Sequence, residues 1–202
     1  LQCGPGLFEN NRIERVGSSL VVRSGQLTYW EGGIPNRVTI RGNVFIDSAV
    51  SPLNSMIEAA GVGRPLESLV VEGNVFYRSG REAVRVSWAE GVVMRNNLVV
   101  HPFEGNRLLP ETRFPELPAF RFERVKGALV EGQTVVRNRA GHAVTCQPGS
   151  TEIVERGNQT VVDSDRSIEA SLRALAADRK RHAGEIIEMA RKELNANGGR
   201  SF

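Results

Sequence analysis

Residues 69–76 read Leu69-Val70-Val71-Glu72-Gly73-Asn74-Val75-Phe76, and the same pattern recurs along the chain. An apolar segment is usually followed by a five-residue motif: any residue, then Gly or Asn, then Asn or Gln, then any residue, then an apolar or Thr position. Six copies occur, and their Asn or Gln positions follow one another at intervals of 23 to 36 residues. The copies are Glu9-Asn10-Asn11-Arg12-Ile13, Arg41-Gly42-Asn43-Val44-Phe45, Glu72-Gly73-Asn74-Val75-Phe76, Arg95-Asn96-Asn97-Leu98-Val99, Glu131-Gly132-Gln133-Thr134-Val135 and Arg156-Gly157-Asn158-Gln159-Thr160. Such repetition is typical of architectures in which each unit stacks on its neighbours.

A second strand-like segment precedes each of the later copies at a nearly constant distance. Ala83-Val84-Arg85-Val86 begins 14 residues before Asn97, and Ala119-Phe120-Arg121-Phe122 begins 14 residues before Gln133. The corresponding segments elsewhere are Leu20-Val21-Val22, Met56-Ile57-Glu58-Ala59 and Ala143-Val144-Thr145-Cys146. Each copy is therefore expected to fold as strand, turn, strand, turn and short strand. The pattern predicts an all-β fold, a right-handed parallel β-helix of about six coils.

The repeated polar residues have structural roles in this fold. Gly or Asn at the second motif position permits a left-handed bend between strands. The Asn or Gln beside it would recur every ~4.8 Å along the stack, which favours a ladder of side-chain amides. Phe45 and Phe76 are expected to stack in the interior. The six amide positions are thus interpreted as structural, not as a catalytic or metal-binding group.

The pattern changes near residue 164. An apolar stripe at helical spacing predicts a single amphipathic helix from residue 164 or 165 to about 195. Asp165, with Glu169 nearby, suits its beginning, and Asp163 and Asp165 together suggest capping. Residues 1–163 are therefore assigned to the coils, and residues 164–202 to a helix that packs on the stack or caps it. The alternative is a helix that binds a partner or a second copy of the chain.

Composition and charge exclude several classes of function. The 202 residues include 26 basic and 23 acidic ones, a net charge of +3. This small excess does not favour a nucleic-acid-binding surface, and Arg179-Lys180-Arg181-His182 is interpreted as the solvated face of the helix. No stretch approaches the ~18 apolar residues of a membrane span. No spacing of Cys, His or Asp suggests a metal site, so no metal or cofactor is expected.

An inserted loop contains the clearest binding signal. The loop from Arg23 to Asn36 includes Tyr29-Trp30-Glu31-Gly32-Gly33. Aromatic rings offer flat apolar faces on which a sugar can stack, and Glu31 can bond hydroxyl groups. Tyr29, Trp30 and Glu31 are therefore candidate substrate-binding residues. The alternative is that both rings cover the edge of a coil.

An outward column of polar residues is the second candidate binding surface. Alignment of the copies places Glu58, Arg85, Arg121 and Thr145 at one position on successive coils, where Glu58 would pair with Arg85. Arg85 and Arg121 could form the polar floor of a saccharide groove, or the column could be a simple charge ladder. Glycoside hydrolysis normally needs two carboxyl groups, for which the weak candidates are Glu31, Glu58 and Glu111.

Two stretches resemble glycoside hydrolase family 110. They are Leu20-Val21-Val22 through Tyr29-Trp30-Glu31-Gly32-Gly33 to Arg37-Val38-Thr39-Ile40-Arg41-Gly42-Asn43-Val44-Phe45, and Pro118-Ala119-Phe120-Arg121-Phe122-Glu123-Arg124. The resemblance implies a β-helical α-1,3-galactosidase that inverts configuration without a metal, using a cluster of aspartates of which two are adjacent. This chain contains no adjacent aspartates. We therefore expect the main catalytic aspartates to lie in coils that precede Leu1.

Two hypotheses follow. In the first, the chain is the C-terminal part of an exo-glycosidase, extracellular or periplasmic, whose partners are a glycan substrate and the N-terminal coils of the same protein. In the second, it is a non-catalytic glycan-binding or structural β-helix, with homo-oligomers as a further option. A polysaccharide lyase is a weaker third interpretation, because lyases often bind Ca²⁺ through Asp clusters and no such cluster is present.

Overall fold

The computed structural model describes residues 4–17, 20–24, 35–57, 65–104, 118–137 and 144–196. These residues form fifteen strands and two helices. The strands are β1 (Gly4–Glu9), β2 (Arg12–Glu14), β3 (Leu20–Ser24), β4 (Pro35–Arg41), β5 (Val44–Ile46), β6 (Leu53–Ile57), β7 (Leu66–Glu72), β8 (Val75–Tyr77), β9 (Val84–Arg95), β10 (Leu98–Val100), β11 (Phe120–Glu131), β12 (Thr134–Arg137), β13 (Thr145–Cys146), β14 (Thr151–Arg156) and β15 (Gln159–Val162). The helices are α1 (Ser167–Ala177) and α2 (Ala183–Ala196).

The strands form two sheets in which every pair is parallel. The larger sheet has the order β1-β4-β7-β9-β11-β13. In the same sheet β14 also pairs with β11, β6 pairs with β9, and β3 pairs with β6. The smaller sheet has the order β2-β5-β8-β10-β12-β15. The chain alternates between the sheets, so that each repeat lies beside the preceding one in both. The prediction of a mainly β fold with parallel strands is confirmed.

Side chains alternate between the space enclosed by the sheets and their outer faces. Val38, Leu69 and Val92 share one register position of the larger sheet and are at most 1% exposed. Phe45 and Phe76 share a register position of the smaller sheet and are equally buried. Both sets belong to one apolar cluster. The core therefore lies between the two sheets, as the alternating side-chain directions of strands require.

The bends between strands use the left-handed conformation. Asn10, Gly42, Gly73, Asn96, Gly132 and Gly157 all have positive φ angles, between 50° and 64°. These are the Gly or Asn positions of the six motif copies, so the predicted bend is confirmed. Two observations at Gly132 disfavour any side chain there. An added Cβ would lie 2.5 Å from Oδ1 of Asn96, and the φ angle of +64° is one that residues with a side chain rarely adopt.

The predicted amide ladder is also present. Nδ2 of Asn43 donates to Oδ1 of Asn74 at 3.0 Å, and Nδ2 of Asn74 donates to Oδ1 of Asn97 at 3.0 Å. The backbone N–H of each of these residues donates to the same oxygen. The ladder changes at Gln133, whose longer side chain donates to the carbonyl of Glu131, while its backbone N–H donates to Asn158. The six positions are therefore structural.

The two interior phenylalanines stack as expected. The ring centroids of Phe45 and Phe76 are 5.1 Å apart and the ring planes differ by 8°. Both side chains are at most 1% exposed. Their spacing follows from the distance between neighbouring strands, which places identical residues of successive repeats above one another.

The prediction of one C-terminal helix is wrong, because the structure has two. Residues 178–182 separate them, so the Arg179–His182 run lies in a connection and not on a helix face. Asp178 has an extended conformation, and its carboxylate accepts the backbone N–H of Lys180 at 2.9 Å. Such a local side-chain bond competes with helix continuation. Neither helix is long and apolar enough to cross a membrane, which holds for the residues described.

Both helices pack on the outer face of the smaller sheet. Ile168, Leu172 and Ile186 form a cluster with outward residues of its strands. The strand residues in this cluster are Val44, Ile46, Val75, Tyr77, Leu98, Val100, Val136 and Val161. Burial on both faces explains why β5, β8 and β10 contain no exposed residue.

The start of α1 is held by aspartates. The carboxylate of Asp163, which is 2% exposed, accepts the backbone N–H groups of Ile168 at 3.1 Å and Glu169 at 2.6 Å. Asp165 accepts the N–H of Ser167 at 3.4 Å. Both aspartates therefore accept N–H groups of the first turn, as the predicted capping requires. The helix begins at Ser167, however, and its N-cap residue is Arg166, not Asp165.

Candidate functional site

The structure describes only part of the predicted site. Tyr29, Trp30, Glu31, Glu58 and Glu111 lie outside the described residues. Arg85 and Arg121 lie on β9 and β11 at one register position. The geometry of the candidate saccharide groove can therefore be followed from these two arginines.

Arg85 and Arg121 belong to a compact polar group on the outer face of the larger sheet. Ser87 and Glu123, two residues further along the same strands, are also register partners. We call Arg85, Ser87, Arg121 and Glu123 the outer quartet. Because residues two apart on a strand share a face, all four lie opposite the buried side of the sheet, which carries Val84, Val86, Phe120 and Phe122.

One carboxylate holds the outer quartet together. Nη2 of Arg85 lies 3.2 Å from Oε1 and 3.0 Å from Oε2 of Glu123, and Nε of Arg121 lies 2.5 Å from Oε1. The hydroxyl of Ser87 donates to Oε2 at 3.2 Å. The side chains of Arg85, Arg121 and Glu123 are 26%, 28% and 21% exposed. The group therefore offers solvent-facing donors fixed on a rigid support.

The electrostatics of the outer quartet favour an ionised Glu123. Partial burial raises the pKa of this carboxyl, but hydrogen bonds from Arg85 and Arg121 and their positive charges outweigh that effect and hold the pKa below its ordinary value. The quartet thus has two guanidinium groups and one carboxylate, with an excess positive charge. In addition, Nε of Arg85 is buried and has no hydrogen-bond partner among the described residues.

The predicted outward column is partly wrong. Arg85 and Arg121 do face each other, but the residue opposite Arg85 on β6 is Asn54, not Glu58. The residue opposite Arg121 on β13 is Cys146, because Thr145 pairs with Phe120. Register is set by burial: Leu53 is fully buried and pairs with Val84, so the strand begins three residues before the predicted Met56. The carboxylate that pairs with Arg85 is Glu123.

A second charged column was not anticipated. The first motif position carries Glu9, Arg41, Glu72, Arg95, Glu131 and Arg156, which lie in register across the larger sheet. Their charges alternate in sign along the stack. Ion pairs join Arg41 to Glu9 at 2.7 Å and Glu131 to both Arg95 and Arg156 at 3.2 and 2.8 Å. These exposed pairs each contribute little stability, but alternating charges disfavour a shifted register.

A charged cluster, largely buried except at Arg166, lies where α1 meets the smaller sheet. We call Tyr77, His101, Glu104, Arg166 and Glu169 the anchor cluster. The hydroxyl of Tyr77 donates to Glu169 at 3.1 Å, and Nδ1 and Nε2 of His101 lie 3.2 Å from Glu104 and 3.7 Å from Glu169. Arg166 contacts Glu104 at 2.7 Å and Glu169 at 3.3 Å. The cluster therefore joins the start of α1 to the end of β8 and to the residues that follow β10.

The pKa values in the anchor cluster follow its charges. Burial, the nearby charge of Glu169 and their hydrogen bond all raise the pKa of the Tyr77 phenol above its ordinary value. For Glu104, burial alone would raise the pKa. The hydrogen bond with His101 and the charges of His101, Arg166 and Arg78 reverse this and lower it. The phenol stays protonated and donates, while Glu104 stays ionised and accepts.

The sequence contains a signal for the anchor cluster outside the five-residue motif. Polar residues occur four positions after the ladder residue in five successive repeats. They are Arg15, Asp47, Arg78, His101 and Arg137. The first four have positive φ angles of 48° to 54°, which marks a further bend of the chain. Extending the motif by four residues would have identified this column.

Within the described ranges, no group of three or more His, Cys, Asp or Glu side chains is arranged to hold a metal ion. Comparison of the chain with models of protein families, with curated proteins and with solved structures gives no match. The functional argument therefore depends on the geometry of the site and on the sequence.

Proposed function

We propose that the chain is a right-handed parallel β-helix that binds carbohydrate on the outer face of its larger sheet. Parallel pairing in both sheets, the alternation of the chain between them and the amide ladder support the fold. The glycan-binding proposal rests on one observation, the fixed outer quartet of Arg85, Ser87, Arg121 and Glu123.

The chemistry of the outer quartet suits a neutral sugar. Each sugar hydroxyl is both donor and acceptor, so it bonds well beside guanidinium donors and a carboxylate acceptor. Arg85 and Arg121 retain N–H groups beyond those that contact Glu123, since a guanidinium has five. Donors held by a sheet lose little conformational entropy when a ligand binds. Tyr29 and Trp30 would add stacking faces, as the sequence predicts.

We further propose that this surface serves an exo-acting α-1,3-galactosidase of the extracellular space or periplasm. The resemblance of residues 20–45 and 118–124 to glycoside hydrolase family 110 supports this part of the proposal. Glu31, Glu58 and Glu111 are the carboxyl groups of this chain to test for a catalytic role. If residues 1–202 alone turn over α-galactosides, loss of turnover with retained binding in a glutamine variant of Glu31, Glu58 or Glu111 would identify a catalytic carboxyl.

The test is a binding titration with terminal α-1,3-galactosides. Arg121→Ala and Arg85→Ala should weaken binding at least tenfold, which corresponds to losing one charge-assisted hydrogen bond of about 1.5–3 kcal/mol. Arg95→Ala is the matched control, because Arg95 lies on the same strand and pairs with Glu131 across the same two strands. Equal affinities of Arg85→Ala, Arg121→Ala and Arg95→Ala would contradict the proposal.

Trp30→Ala tests the aromatic platform separately. We expect galactoside binding to be lost while the melting temperature changes little, because an exposed ring buries little area on folding. A loss of ~3 kcal/mol or more in the free energy of unfolding, with binding intact, would assign Trp30 to the covering of a coil.

A structural role for the outer quartet is the second candidate. The observation that favours it is the engagement of both arginines by Glu123. Under this interpretation Glu123→Gln lowers stability and no sugar tested binds. Titration of wild type separates the two interpretations, because a purely structural quartet binds no galactoside. Titration of folded Glu123→Gln then shows whether the two arginines bind sugar without the carboxylate.

A further inference from the structure

A cleft of about 370 Å³ lies between the outer face of the smaller sheet and the end of α1. Five arginines and two carboxylates line it. The arginines are Arg12, Arg15, Arg78, Arg173 and Arg179, and the carboxylates are Glu14 and Asp47. This cleft is separate from the outer quartet, which lies on the other sheet.

The cleft exists because β2 differs from the strands that follow it. The outward positions of β5 and β8 carry apolar residues that α1 and α2 cover. The equivalent residues of β2 are Arg12 and Glu14, which pair in register with Val44 and Ile46. Two long charged side chains cannot be buried under a helix as Val and Ile can, so a charged cleft remains at this end of the interface.

Both carboxylates in the cleft are already engaged. Glu14 accepts a hydrogen bond from Nε of Arg12, and Asp47 lies 3.3 Å from Nε of Arg78. This leaves three of the five guanidinium groups without an ion pair among the described residues. These three belong to Arg15, Arg173 and Arg179, all exposed.

Arg12 adds a donor from the interior of the cleft. Its side chain is 19% exposed, and Nη2 donates to the carbonyl of Ala176 at the end of α1. That contact offsets the negative end of the helix dipole. Its Nη1 is buried and has no hydrogen-bond partner among the described residues. An unpaired buried donor of a charged group is costly, and an anion in the cleft would satisfy it.

We propose that this cleft binds a small molecule with a tetrahedral oxyanion, a phosphate or sulfate monoester. Clustered guanidinium groups repel one another, and a bound anion relieves that repulsion while accepting several charge-assisted hydrogen bonds. The cavity lies within the ~300–1,000 Å³ range of ligand sites and is larger than a bare phosphate needs. Ile46, Ala176 and Ala177 supply apolar wall for the body of the ester.

The test compares thermal stability and affinity in phosphate, sulfate and chloride at constant ionic strength and pH 7. Phosphate should raise the melting temperature above that in chloride, because a ligand that binds only the folded state stabilises it. Phenyl phosphate and phenyl sulfate should bind more tightly than the inorganic ions, and the tighter of the two identifies the ester class.

Variants separate the cleft from general salt effects. Arg15→Ala, Arg173→Ala and Arg179→Ala should each weaken phosphate binding about tenfold, while their melting temperatures in chloride stay equal to wild type or rise. Arg191→Ala is the control, since Arg191 is an exposed arginine of α2 that does not line the cleft.

Three results would overturn the proposal. The first is an equal melting temperature in phosphate and in chloride. The second is a phosphate effect that survives in the Arg15, Arg173 and Arg179 variants, which would mark a general effect of the salt. The third is binding of a DNA oligonucleotide without binding of either phenyl ester, which would assign the arginines to a polyanion. None of these results bears on galactoside binding by the outer quartet, so the two proposals fail independently.

Discussion

At the scale of single residues, Asn74 is the best test of the amide ladder. It is fully buried, accepts from the backbone and side chain of Asn43, and donates to Asn97 and to the carbonyl of Ile40. Asn74→Leu leaves these groups without partners, so we expect a loss of about 1–3 kcal/mol in the free energy of unfolding. Urea denaturation of wild type and Asn74→Leu measures this loss. Asn158→Leu, at a half-buried end of the ladder, should cost less, and equal losses would contradict a cooperative ladder.

Single residues also show how far the sequence could predict the structure. Asn43, Asn74 and Asn97 were correctly assigned because identical residues at one register position leave a periodic signal. Glu58 was assigned to Arg85 in place of Glu123, because the register of β6 against β9 differs by a few residues from the aligned motifs. The Arg12 cleft was missed for another reason: it forms between β2 and a helix 164 residues away along the chain, a contact that no local pattern encodes.

At the scale of elements, the anchor cluster makes the docking of α1 sensitive to acid. The pKa of Glu104 is lowered from an ordinary value of 4.5. A carboxyl with a lowered native pKa contributes stability that is fully present above its unfolded pKa and is lost as pH falls through the native one. The free energy of unfolding of wild type should therefore exceed that of Glu104→Gln at pH 6. The difference between the two should shrink as the pH falls below about 4.5.

Unfolding by urea at several pH values measures this gap. The control is Glu188→Gln, because Glu188 is an exposed residue of α2 whose only described ion pair, to Arg191, is 4.0 Å long. A gap between wild type and Glu104→Gln that stays constant from pH 6 to pH 3 would mean that the ionised Glu104 does not stabilise the junction with His101 and Arg166.

The two helices illustrate why element boundaries were harder to predict than element types. Apolar spacing continues through residues 168–194, so it predicts one helix. The break at Asp178 coincides with a local hydrogen bond from Lys180, and the exposed polar residues 178–182 are few enough to fit the solvated face of one continuous helix. Burial on the smaller sheet then fixes both helices, which share the cluster containing Leu172 and Ile186.

At the scale of the whole molecule, the two ends of the described stack differ in chemistry. Strands β1 and β2 pair on one side only, and their inward residues Phe8 and Ile13 are apolar and partly buried. Strand β14 also pairs on one side only, but its inward residue at the position of Val130 is Glu155. An inward charge on an edge strand disfavours pairing with another chain, so we expect Glu155 to oppose end-to-end stacking.

Glu155→Val should remove that obstacle. Glu155 accepts hydrogen bonds from Thr145 and, at 2.7 Å, from Gln147, and its replacement would extend the apolar interior to the end of the stack. The exposed end would then match the β1 end of another copy, with Arg156 meeting Glu9 and Asn158 meeting Asn11. Because a head-to-tail contact of this kind does not close, it leads to chains of copies.

Sedimentation velocity should show association that increases with concentration for Glu155→Val. Thr151→Val, an exposed apolar substitution on the same strand, should behave as wild type. Adding Glu9→Arg to Glu155→Val places two positive charges together and should reverse the association; if it does not, the contact is not the proposed stacking of ends.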